Sequence, residues 1–78
     1  MVPRITTDPK IFGGKPIVRG MRISVEMILD LMGQGMSEED ILGEYPLLEK
    51  DDLTACLRYA KSVVACEETE IALVEPVQ

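Results

Sequence analysis

Few side chains in this sequence could carry acid–base or metal chemistry. Histidine is absent, which removes the commonest general base and the commonest metal ligand. The two cysteines, Cys56 and Cys66, are too few for a four-ligand zinc site. On a helix, residues ten positions apart point about 80° apart with about 15 Å of rise between them, so this pair cannot close an intrachain disulfide. Both read as small apolar helix residues. The adjacent carboxylates Asp51 and Asp52 point about 100° apart on a helix, which suits caps better than a catalytic pair. Gly13-Gly14-Lys15 lacks the spacing of a phosphate loop and the Ser or Thr that would hold magnesium. The expectation is a binding protein and not an enzyme, with no cofactor, no metal and no small-molecule substrate.

Charge is where binding chemistry concentrates. Met1 to Ile23 holds Arg4, Lys10, Lys15, Arg19 and Arg22 against Asp8 alone, whereas Ser24 to Gln78 holds Lys50, Arg58 and Lys61 against thirteen acids, for a net charge of −6. One part could meet an anion and the other a cation, or the two could complement each other within the fold or across a dimer. Placed on a helix, Lys50, Thr54, Arg58 and Lys61 fall at about 0°, 40°, 80° and 20°. That stripe faces away from Leu53, Ala60 and Val64. Its bases could hold phosphates and Arg58 could read a guanine edge. Against it, Asp51 and Asp52 would repel phosphate, and a solvated, charge-balanced face is the competing reading. Arg4, Lys15, Arg19 and Arg22 form the stronger electrostatic candidate, because pairing of their strands in a dimer would double them into one basic surface. The alternative is that Arg19 and Arg22 pair with acids of the helix over about 25–32 or of the helix over about 38–44.

Local pattern then places these residues on elements. Seventy-eight residues allow one small domain. Ile5-Thr6-Thr7 and Pro16-Ile17-Val18-Arg19 read as short strands around a Gly13-Gly14 turn, and Gly20 marks a bend. Their short edges predict pairing with a second copy, hence a homodimer. Val25, Ile28, Leu29 and Met32 keep helical spacing behind the capping Ser24, giving a helix over about 25–32 that Gly33 or Gly35 can end. Ser37 with Glu38, Glu39 and Asp40 starts a second helix over about 38–44, stopped by Pro46. A third begins near Asp51 and runs four turns through Leu53, Cys56, Leu57, Ala60, Val63 and Val64. The fold class is mainly α: a three-helix, helix-turn-helix core over 24–66, with a basic strand arm over 1–23 of the same domain and an acidic tail over 67–78. In that tail Glu70, Ile71, Leu73 and Val74 read as a partner-binding arm, or else as a strand folded back on the third helix. Tyr45, Tyr59, Phe12 and Met21, Met27, Met32 and Met36 are expected in packing roles. No apolar run nears the roughly 18 residues of a membrane span, and MVPRITTDPK lacks the apolar stretch of a signal peptide, so a cytoplasmic location is expected.

The ordered motifs Gly14-Lys15-Pro16-Ile17-Val18-Arg19-Gly20-Met21-Arg22-Ile23, Gly35-Met36-Ser37-Glu38-Glu39-Asp40-Ile41, Tyr45-Pro46-Leu47 and Asp51-Asp52-Leu53 through Leu57-Arg58-Tyr59-Ala60 resemble domain-of-unknown-function family 433 across roughly residues 5–62. The resemblance implies a homeodomain-like, antitoxin-like protein whose gene often neighbours a PIN-like toxin gene. It implies an antitoxin that binds operator DNA and neutralises such a nuclease. The competing reading is a dimeric protein-interaction module that binds no DNA and docks a basic partner on its acidic surface.

Overall fold

The computed structural model of this protein describes residues 3–66. Glu70, Ile71, Leu73 and Val74, the expected partner-binding arm, lie outside the described residues. The chain begins with strand β1 (Ile5–Thr6), passes a single 3-10 turn at Phe12–Gly14, and returns as β2 (Ile17–Val18). The strands pair antiparallel, Ile5 with Val18 and Thr6 with Ile17. Helices α1 (Val25–Gly33), α2 (Glu38–Glu44) and α3 (Lys50–Cys66) follow. The three-helix, mainly α architecture with a short N-terminal ribbon is the one the sequence pattern predicts.

Beyond β2 the backbone turns tightly at Arg19 and Gly20, whose φ angles of 44° and 73° are both left-handed. The Met21 N–H closes this turn on the Val18 carbonyl at 2.8 Å, and two successive positive φ angles define the mirror-image hairpin turn that matches strand twist. An isolated bridge between Ile17 and Ser24 extends the ribbon to the start of α1. The ribbon therefore delivers the chain directly to the Ser24 cap, whose Oγ accepts from the Met27 N–H at 3.0 Å. Ser37 caps α2 in the same way through the Asp40 N–H at 3.1 Å. Between these helices it is Gly35, with φ of 92°, that takes the left-handed conformation; Gly33 remains inside α1.

The core gathers Val18, Val25, Ile28, Ile41, Leu48, Leu53 and Cys56, with Tyr45, Tyr59, Met21, Met32 and Met36 packed against it. Phe12 departs from the expected packing role. It sits in the 3-10 turn with φ of 50° and is 43% exposed, because that turn holds it at the rim of the ribbon, bordering a depression beside α1 and outside the core.

Candidate functional site

Asp52 organises the N-terminal end of α3. It stands three residues after Glu49, the residue preceding the helix, and its Oδ2 accepts the Glu49 N–H at 2.8 Å, the returning half of a capping box. The ribbon supplies the other partners. Arg19 forks onto the same carboxylate, Nε to Oδ1 at 3.0 Å and Nη2 to Oδ2 at 2.8 Å, and Arg4 Nη1 reaches Oδ1 at 2.9 Å. These four hydrogen bonds match the roughly four lone-pair sites of a carboxylate. Asp52 is fully buried, and its lone pairs are taken up by these four donors. Burial alone would raise its pKa, but the hydrogen bonds from Arg19, the Glu49 N–H and Arg4 outweigh it, holding the carboxyl below its ordinary value.

Arg4 extends the clamp with an ion pair to Glu49 at 2.8 Å and a looser one to Asp51 at 3.6 Å. Arg19 Nη2 also donates to the Leu47 carbonyl at 2.9 Å, so the left-handed backbone at Arg19 is held by contacts on both sides. Both guanidinium pKa values are raised, first by hydrogen bonding, to Glu49 for Arg4 and to Asp52 for Arg19. The third arm base, Lys15, pairs with Glu26 of α1 at 2.8 Å, both side chains well exposed. Lys15 holds Glu26 below the usual carboxylate range, first through this hydrogen bond and then through its charge. Of the four predicted arm residues only Arg22 makes no ion pair among the described residues, and it is exposed.

On α3 the predicted stripe is exposed throughout, at Lys50, Thr54, Arg58 and Lys61. Thr54 and Arg58 border a shallow depression with Arg4 and Asp51; Arg58 and Lys61 border a second with Ser62 and Ala65. Lys15 lies apart from both, beside α1. Of the eight predicted DNA-contacting residues, Arg4 and Arg19 sit in the clamp, Lys15 on the α1 side and Lys50, Thr54, Arg58 and Lys61 on the outer face of α3. Arg4 borders the same depression as Thr54 and Arg58, while Arg22 stands exposed after the turn that follows β2.

Two further surfaces emerge, one foreshadowed by the charge asymmetry and one that escaped sequence reasoning. From Ser24 to Glu49 the chain carries seven acids, Glu26, Asp30, Glu38, Glu39, Asp40, Glu44 and Glu49, and no base. All seven are exposed, which leaves α1 and α2 with a single sign of charge. Next to them, Pro16, Val25, Leu29, Ala60, Val63 and Val64 line an apolar groove of about 340 Å³, with Lys15 and Glu26 at its mouth. The continuous acid run was visible as a charge asymmetry; the groove depends on how α1 and α3 cross and had no local signal. Cys56 is inert at this end of the molecule: burial first, and then the Asp52 charge, pushes its thiol up to about 11. Both cysteines are free.

A short antiparallel ribbon clamped by a buried aspartate onto the last of three helices defines a compact, mainly helical domain. Residues 5–60 match the family described as Protein of unknown function (DUF433), and the chain belongs to that family. It is 33% identical over 58 residues to the uncharacterized protein y4eO of Sinorhizobium fredii, a match covering 74% of this chain and 26% of that protein. The chain therefore spans about a quarter of that relative's length. A solved DUF433 member protein from Anabaena variabilis superposes with a TM-score of 0.76 at 30% identity, covering 90% of this chain and 69% of that one.

Proposed function

We propose that this protein is a protein-binding module of the antitoxin type, which docks a basic partner of the PIN-like nuclease class on the acid-only surface of α1 and α2. The observation that carries this reading is the division of charge. The arm guanidiniums at Arg4 and Arg19 are committed to a buried carboxylate, whereas the acids from Asp30 to Glu44 have no cationic partner among the described residues. An RNA-handling nuclease needs a basic approach surface, and a field of one sign steers such a partner and masks it once bound.

A second reading, contact with operator DNA through α3, is favoured by the exposed Thr54, Arg58 and Lys61 on one helix face. Phosphate contacts from these positions would be few, giving weak and strongly salt-dependent binding. Co-expression with the product of the adjacent gene, followed by gel filtration of the pair and a gel shift on the shared promoter, separates the readings. Stable co-elution with rescue of growth and no promoter shift supports the protein-binding module. A specific promoter shift abolished by Arg58→Ala, with no co-elution, removes it in favour of the second reading.

A further inference from the structure

The apolar groove exists because α3 outruns its neighbour. At about 1.5 Å per residue, the 17 residues of α3 and the nine of α1 are about 25 Å and 14 Å long. The last turns of α3 therefore overhang the body of the molecule. Val63 lies about 20° around the helix from Cys56, on the face that lower down packs the core, yet Val63 is 38% and Val64 55% exposed. The groove's capacity is at the small end of ligand pockets, roughly 300–1,000 Å³, and its floor is aliphatic. Its mouth is not. Glu26 and Asp30 stand one turn apart on the exposed face of α1, and Glu26 already holds a cation, Lys15 Nζ at 2.8 Å. A second depression lined by Phe12, Met27 and Asp30 also shares Lys15 and Glu26, so the two meet at that ion pair and Asp30 lies in the adjoining depression.

Resting on the protein-binding reading, we infer that this groove seats an amphipathic helix of the partner, with its apolar stripe on Val25, Leu29, Val63 and Val64 and a flanking Lys or Arg exchanging with Lys15 at Glu26 and Asp30. A cleft between two helices suits a helix whose anchors recur at i, i+3 or i+4, and i+7. Strand addition is the weaker mode here, since β1 and β2 are two residues each. The exposed Lys15–Glu26 pair contributes little on its own and is readily exchanged for a partner's base. Charge also discriminates among occupants. Residues 67–78 carry four acids and no base and so lack the flanking cation that Glu26 and Asp30 call for, and a second copy of the chain, at a net charge of −6, is repelled at long range.

Selection of a displayed library of random 14-residue peptides on the full chain, with NMR shift mapping of the winners, tests the inference. Selected peptides should combine an apolar helical stripe with a Lys or Arg one turn away, and their shifts should centre on Val25, Leu29, Ala60 and Val63. Val63→Asp, at a half-exposed position, should abolish binding while the thermal melt is retained. Glu26→Gln with Asp30→Asn should weaken binding about threefold to tenfold, the effect of rim charges, and more at low salt. No selected ligand, ligands without a base, shifts mapping elsewhere, or self-association through Val63 would each overturn the inference. If Val63→Asp still masks the nuclease, the groove falls and the acidic-surface reading stands; if peptides map to the groove but no nuclease is bound, the groove stands and that reading falls.

Discussion

At the scale of single residues, Asp52 decides how the N-terminal ribbon is attached. A buried carboxylate is tolerated only when paired and hydrogen-bonded, and here one residue from α3 is met by two from the ribbon, 48 and 33 positions away in sequence. Replacing it with the near-isosteric Asp52→Asn removes the charge while leaving two guanidiniums facing a neutral amide. The expected loss is about 3 kcal/mol, the low end for a broken buried pair, because both arginines keep some solvent. A carboxylate whose folded pKa is lowered stabilises the fold fully above its unfolded value, about 3.9, and the contribution disappears as pH falls through the lower folded value. Urea unfolding of both proteins should therefore show a gap that is wide at pH 7 and narrows progressively below about pH 4. A gap under 1 kcal/mol at pH 7, or one unchanged by acid, would show that the clamp does not hold the ribbon.

At the scale of elements, the helix starts were legible because they are local. Ser24 and Ser37 cap by bonding N–H groups three residues on, and Pro46 follows α2 closely, so the predicted bounds of the first two helices agree with α1 and α2 to within a residue. What was not legible depends on long-range packing. The third helix's apolar stripe is buried as expected at Leu53 and Cys56, but Leu57, Val63 and Val64 are exposed, and the fully buried set instead extends to Asp52, at about 200°. The ribbon lies over that side of the helix, and no periodicity within α3 could reveal it. For the same reason Arg4 and Arg19 read as free bases. The α1–α2 turn offers a discriminating test. A Cβ at Gly35 or Gly33 meets no atom within 4 Å, so the backbone alone sets the cost. Gly35→Ala, at φ of 92°, should destabilise by about 1–2 kcal/mol, whereas Gly33→Ala, in helical conformation, should stabilise by about 0.5–1 kcal/mol. Equal effects in thermal melts would contradict the assignment of Gly35 as the turn residue.

At the scale of the whole molecule, charge is sorted by side. The bases of the ribbon are largely neutralised from within, α1 and α2 present acids alone, and the outer face of α3 keeps Lys50, Arg58 and Lys61 exposed. On the proposed reading, a cationic partner approaches along α1 and α2. The chain's overall charge of −6 opposes long-range attraction to nucleic acid. The measurement that tests this most directly is calorimetric titration of the proposed nuclease partner into the wild-type chain and into a variant carrying Asp30→Asn, Glu39→Gln and Glu44→Gln, each at low and high salt. The account predicts binding that weakens with salt for the wild type, and a variant that is folded but binds more weakly, with a flatter salt dependence. Binding that is indifferent to both salt and the three substitutions, or no binding at all, would contradict it.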